Sequence, residues 1–263
     1  MMKILLTNDD GIFAEGLWQL ADELRSIAQV VIAAPDREQS AAGTAVTLSR
    51  PLRVRKIKPL VPEVEAYSIE GTPSDSVILA LEKLTENGID LVISGPNQGF
   101  NLGNDVLISG TVGAALQGYL RGYSALAISI PQTENPNLQS VGKLAALLAK
   151  KIGANTSLPN IFLNVNMPEL PPKAIKGVNV TRLASETHID TVKEGHDGRR
   201  SYYWLVRKRI PDKTHQDVTD IWAVEHGHIS ITPLHIYQNG DSTPGITDSF
   251  CAEILEELRK NQE

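Results

Sequence analysis

Asn8-Asp9-Asp10-Gly11 sets two carboxylates side by side directly after the apolar run 3–7. Adjacent anions repel unless water or a cation compensates them. Two further polar stretches carry compatible chemistry. Residues 35–44, "PDREQSAAGT", hold Ser40, Gly43 and Thr44, and residues 96–105, "PNQGFNLGND", hold Asn97 and Asn101. Carboxylates, a hydroxyl and amides, with neither Cys nor His among them, suit a hard divalent ion such as Mg²⁺ or Mn²⁺ better than zinc. Ser109-Gly110-Thr111 opens an apolar stretch, and free N–H groups at such a helix start attract phosphate. Each piece alone has a plain reading. "NDDG" is good turn chemistry, "NQGFNLGND" suits a coil, and "SGT" is an ordinary helix cap. Their combination describes a carboxylate–metal site beside an anion cradle.

These residues need elements to bring them together. Residues 3–7 and 29–35 read as buried parallel strands. Between them, residues 13–26 carry Phe13, Leu17, Leu20, Ala21 and Leu24 at helical spacing. Helices follow over 73–84 (Pro73 at the start), 110–122 and 138–152, and strands over 90–95, 125–130 and 160–168. Strands alternating with helices predict a mostly parallel, Rossmann-like α/β sheet with helices on both faces. In such sheets ligands bind beyond the carboxyl ends of the strands, where all three polar loops would lie. After about residue 170 the pattern changes. "GVNVTRL", "RSYYWLVRKR" and "DIWAVEHGHISITPL" read as strands and hairpins, followed by a helix over 250–260. "LRVRKI" and "VEAYSI", between 52 and 69, read as another two-strand piece. The expected division is a core over 1–168 and a β-hairpin-rich extension with the C-terminal helix over 169–263. All six histidines fall between His188 and His235, so chemistry in the core must do without histidine.

Composition narrows the classes. The 263 residues are 41% hydrophobic and 21% charged, as in a globular protein with a sizeable core. A net charge of −6 disfavours duplex nucleic acid as a partner. No apolar run approaches the ~18 residues of a membrane span. The single cysteine, Cys251, excludes an intrachain disulfide framework. With no signal-like segment at the start, a cytoplasmic location is expected.

Taken in order, "KILLTNDDGIFAEGL", "APDREQSAAGTAVTL", "GTPSDSVILAL", "SGPNQGFNLGNDVLISGTVGAAL", "NVNMP" and "TDIWAVEHGHISITPL" resemble the SurE family of stationary-phase survival proteins. The resemblance runs from residue 3 to about 234. It implies a metal-dependent phosphomonoesterase acting on nucleoside 5'-monophosphates, and it allows 3'-monophosphates and short polyphosphate. It also implies one divalent ion per subunit, held by Asp9, Asp10, Ser40 and Asn97. Asn8, Gly43, Thr44, Asn101, Ser109, Gly110 and Thr111 would line the phosphate pocket or its rim. The extension would exchange elements between subunits of a homodimer or homotetramer. Tyr202, Tyr203 and Trp204 put a large apolar load on one hairpin of that extension. The chain departs from the usual family pattern at Pro96, Ile108 and near Gln117.

The expected reaction is direct hydrolysis by water, with Asp9 as the proton acceptor; an aspartate nucleophile forming an acyl phosphate stays open. Two other classes compete. A phospho-acceptor signalling module needs a lysine at the end of the 125–130 strand, and this chain has Ile130-Pro131-Gln132. A non-catalytic nucleotide-binding protein on the same fold is the alternative.

Overall fold

The computed structural model describes residues 1–85, 88–134, 136–154, 160–185, 188–209 and 219–235. In chain order the elements are β1 (Lys3–Thr7), α1 (Glu15–Arg25), β2 (Gln29–Pro35), β3 (Val54–Lys56), β4 (Glu65–Ile69), α2 (Pro73–Leu79), β5 (Leu91–Gln98), α3 (Gly110–Leu120), β6 (Ser124–Ile130), α4 (Leu138–Ala154), β7 (Phe162–Asn166), β8 (Gly177–Val180), β9 (His188–His196), β10 (Ser201–Arg209), α5 (Asp220–Glu225) and β11 (His228–Pro233). Short helical turns follow α2 and precede α3 and β8.

One nine-stranded sheet runs in the order β3-β4-β2-β1-β5-β6-β7-β11-β8. From β4 to β7 every neighbouring pair is parallel. The chain steps outward from β1 to β2 on one side and to β5 on the other. That reversal opens a crevice at the carboxyl ends of β1 and β5. The strands are apolar on both faces because helices cover both. Ile4 and Leu6 face Leu17, Leu20 and Leu24 of α1 and Val141 and Ala145 of α4. Leu5 and Val92 face Val77 of α2 and Val112, Ala114 and Ala115 of α3. Fully burying one such Leu or Ile contributes about 1.5–3 kcal/mol, so the crevice rests on a rigid base.

Three features go beyond or against the sequence reading. The 52–69 strands pair as β3 and β4, and β4 also lies parallel against β2 and so extends the main sheet. "DIWAVE" is a helix. Thr219 caps it by accepting a hydrogen bond from Trp222 N, and Asp220 favours the first turn. β8 and β11, from beyond residue 169, join the sheet next to β7. The 250–260 helix and Cys251 lie outside the described residues. Among the described residues β9 and β10 pair only with each other, as an antiparallel hairpin that is not part of the main sheet.

Candidate active site

β1 delivers the aspartates. The chain turns at once after Thr7, with Asn8 holding the turn: its amide donates to Gly11 O (3.1 Å) and accepts from Gly11 N (3.2 Å). Trp18 of α1 donates to Ile12 O (2.7 Å) and fastens the far end of the turn. Asp9 is 3% exposed. Its carboxylate accepts from Thr111 N (3.1 Å) and Thr111 Oγ1 (2.5 Å) at the start of α3. The helix therefore binds an anion that belongs to the protein itself. Gly110 makes this approach feasible, since a Cβ there would lie 2.9 Å from Asp9 Cβ.

β5 delivers the amide. Its register against β6 shifts between Ser94 and Asn97, and Gly95-Pro96 is a cis peptide. Gly95 has φ +127, and a Cβ there would lie 2.3 Å from Ile128 O, so only glycine fits. Pro96 packs on Gly16 of α1. The irregularity re-aims the strand end toward the cleft. Asn97 Nδ2 donates to Gly99 O (2.6 Å), which leaves Oδ1 as the atom able to bind a cation.

The β2–β3 connection delivers the hydroxyl. Ser40 donates to Glu38 Oε1 (2.6 Å), and its lone pairs stay available. Gln39 N donates to Asp9 O (2.7 Å), and Gly43 N to Ile108 O (2.9 Å). These bonds tie the loop to β1 and to the entry of α3.

Together the loops enclose a cleft of about 630 Å³, whose walls include Asp9, Asp10, Ser40, Asn97, Asn101 and Ser109. The other expected residues stand elsewhere. Asn8 and Thr111 are fully buried, shaping the turn and binding Asp9. Gly43 lies against the backbone of Leu107 and Ile108, Gly110 lies against the Asp9 side chain, and Thr44 is exposed outside the cleft wall. Ser109 caps α3, accepting from Val112 N (3.1 Å). The first turn of α3 is thus largely engaged internally. Thr111, expected to line the phosphate pocket or its rim, directs both its backbone N–H and its hydroxyl to Asp9. Sequence reasoning passed over Glu38, Glu15, Asp105, Gln98 and Gln132, which also line the cleft. Glu38 was within reach of inference, as a carboxylate two residues from Ser40.

Among the described residues no group of three or more His, Cys, Asp or Glu side chains is arranged to hold a metal. The donor set is two carboxylates with a hydroxyl and an amide oxygen, suited to a hard cation that keeps water in its shell. The electrostatics agree. Burial, then the charges of Asp9 and Glu38, push the Asp10 carboxyl up to about 6, against a lowering by the Gln98 backbone N–H. Burial also raises Asp9, opposed by the hydrogen bonds from Thr111. Crowded carboxylates of this kind gain most from a neighbouring positive charge.

Comparison with known proteins identifies the family. The family model described as Survival protein SurE matches residues 4–190. Proteins named 5'-nucleotidase SurE match over essentially their whole length. One from Dehalococcoides mccartyi strain 195 is 55% identical over 100% of this chain and 99% of its own. One from Vibrio parahaemolyticus is 42% identical over 96% and 95%. The crystal structure of the SurE protein from Aquifex aeolicus superposes with a TM-score of 0.77 at 34% identity, covering 98% of this chain and 99% of that one. The chain belongs to the SurE family.

Proposed function

We propose that this protein is a 5'-nucleotidase that hydrolyses nucleoside 5'-monophosphates to nucleoside and phosphate with the help of one divalent cation, Mg²⁺ or Mn²⁺, per subunit. The carrying observation is the convergence of Asp9, Asp10, Ser40 and Asn97 on one cleft, in a chain whose full-length relatives bear that name. Asp9, Asp10, Ser40 Oγ and Asn97 Oδ1 would hold the cation. Once bound, it would neutralise phosphoryl oxygens and acidify a water.

The protein's own groups do the rest. Thr111 keeps the buried Asp9 carboxylate oriented through two hydrogen bonds. Asp10 is the less buried of the pair, which leaves its carboxylate the more accessible to a proton from an attacking water. Asp9 is the poorer base in this arrangement, because both its oxygens already accept from Thr111. Asn101 and Ser109 line the wall where a phosphate would sit. The cleft volume of about 630 Å³ suits a nucleoside monophosphate better than a longer nucleic acid. 3'-Monophosphates and short polyphosphate fit the same chemistry.

The exposed hairpin supports assembly into a homodimer or homotetramer. Tyr203, Trp204 and Leu205 of β10 are 63%, 65% and 80% exposed, an apolar load that a partner subunit would cover. Among the described residues no helix is long and apolar enough to cross a membrane. One cysteine in the whole chain suits a cytoplasmic setting.

A phosphate-release panel of nucleoside monophosphates, with Mg²⁺ or Mn²⁺ and with chelator, tests the reading. Turnover that chelator abolishes is expected. Nucleotide binding without turnover under any metal would replace it with a non-catalytic binding role.

A further inference from the structure

The β2–β3 connection runs 18 residues, from 36 to 53, without regular structure. It carries Ser40, yet it buries little apolar surface of its own: Val46 is 40% and Leu48 91% exposed. Polar anchors must hold it. Two of them, Gln39 N to Asp9 O and Gly43 N to Ile108 O, belong to the site itself. Another reaches outside it.

Asp75, in the "GTPSDS" start of α2, is 1% exposed and lies outside the cleft wall. Its Oδ1 accepts from Thr47 N (2.8 Å) and its Oδ2 from Thr47 Oγ1 (2.6 Å). Oδ2 also accepts from Thr72 N (2.9 Å), closing a capping box in which Thr72 Oγ1 accepts from Asp75 N (3.0 Å). The Thr72 hydroxyl then donates to Ala45 O (2.7 Å). Gly71 leaves room for the carboxylate, since a Cβ there would lie 2.8 Å from Asp75 Oδ2. A capping box needs only Thr72 and Asp75. The extra bonds to Thr47 and Ala45 serve the loop.

We infer that Asp75 is a positioning residue of the active site: by clamping Thr47 it fixes the loop that presents Ser40 to the cleft. The inference rests on the nucleotidase reading for its kinetic consequence, and its structural half stands without that reading. Loss of the clamp frees the loop between Gly43 and β3. The Gly43 N–Ile108 O bond then holds the C-terminal end of the Ser40 segment without support from the clamp. It opens more often, and ordering Ser40 when the cation binds raises the metal concentration needed while leaving the carboxylates in place.

The test uses the full-length protein and four variants. Asp75→Asn keeps the shape of the side chain but turns an acceptor into a donor facing Thr47 Oγ1 and Thr72 N. Thr47→Val removes one clamp bond from the loop side, and Thr47→Ser keeps both. Val77→Ala thins the core under α2 without touching the clamp. Mn²⁺ affinity is read by calorimetry, and loop exposure by trypsin cleavage after Arg37 and Arg53. Nucleoside monophosphate turnover gives half-saturating Mn²⁺ and kcat.

For Asp75→Asn and Thr47→Val, Mn²⁺ affinity falls and cleavage speeds up by about tenfold, with kcat at saturating Mn²⁺ changed far less. Thr47→Ser matches wild type. Val77→Ala lowers Tm with none of these effects. Wild-type Mn²⁺ affinity and cleavage rate in Asp75→Asn, or in Thr47→Val should Asp75→Asn not fold, overturns the inference. Equal effects in Val77→Ala overturn it too. Failure of the wild-type protein to turn over any nucleotide would sink the nucleotidase reading, while the cleavage rates still decide the clamp.

Discussion

Two loops supply the site from opposite sides of β1, and they are held by different means. The loop after β5 is built into the core. Asn101 N donates to Asn166 Oδ1 (3.0 Å), and Asn101 O accepts from Asn166 Nδ2 (3.0 Å) and Asn164 Nδ2 (2.8 Å). Asn101 Nδ2 donates to Ser129 Oγ (2.8 Å). Two residues on, Gly103 N donates to Asp220 Oδ2 (2.7 Å), and Asp220 Oδ1 also takes Ala184 N (2.9 Å). The loop after β2 lies on the surface and is tied at separate points, by Asp36 N to Ile69 O, Gln39 N to Asp9 O, Gly43 N to Ile108 O, the Asp75 clamp on Thr47 and Arg50 to Glu70 O. The contrast teaches that this fold keeps one wall of its cleft fixed through buried side-chain networks and leaves the other wall adjustable. A wall that must admit substrate is best made from the weakly tethered side.

Breaking the buried wall should cost the most stability. Asp220→Ala strands the backbone N–H groups of Gly103, Ala184 and Ile221 in a buried region. It is expected to lower stability by about 3 kcal/mol, and Tm by roughly 6–12 °C. Thermal unfolding checks this, and an unchanged Tm would remove Asp220 from the scaffold. Breaking the surface wall should spare stability and strike function. A Cβ on Gly113 would lie 2.2 Å from Gly43 O, so Gly113→Ala must push the loop off α3. A loss of about 10²-fold in kcat/KM with a smaller change in Tm is expected. The reverse pattern would place the adjustable wall elsewhere.

The smallest effect concerns protons. Asp9 and Asp10 both titrate above the ordinary 3.8, Asp10 at about 6. Between those values the folded, metal-free chain holds more protons than the unfolded chain. Its stability therefore falls as pH rises through that window, by an amount set by how far each value is raised. A divalent cation reverses the trend, because it must displace those protons. Mn²⁺ affinity is expected to climb with pH up to about 6 and then level off. Titration calorimetry at several pH values checks the slope, and a flat profile would contradict the carboxylate assignment.

The fixed wall was partly legible in the sequence, and the adjustable one less so. Apolar runs such as "QVVIAAP" translate directly into buried parallel strands, because no other arrangement covers both faces. Topology alone then places Asp9, Asp10 and Asn97 at one crevice. The roles of Thr111 and Asp220 were not legible. Thr111 binds a residue 102 positions away, and Asp220 reaches Gly103 across 117. No local spacing encodes such partners. "DIWAVE" misled for a related reason. A six-residue helix is too short to show a period, and its cap, Thr219, identifies it only once seen in place. The resemblance supplied the ligand set as a list, and the structure adds which of those side chains are already occupied by one another.

The most direct measurement compares wild type with Asp10→Asn, by Mn²⁺ titration and by phosphate release from a nucleoside 5'-monophosphate on the same samples. The account expects one Mn²⁺ per wild-type chain and little or none in the variant. It also expects turnover reduced by about 10³-fold or more, with an unchanged circular dichroism spectrum. A folded Asp10→Asn protein that binds Mn²⁺ and releases phosphate at the wild-type rate would contradict it.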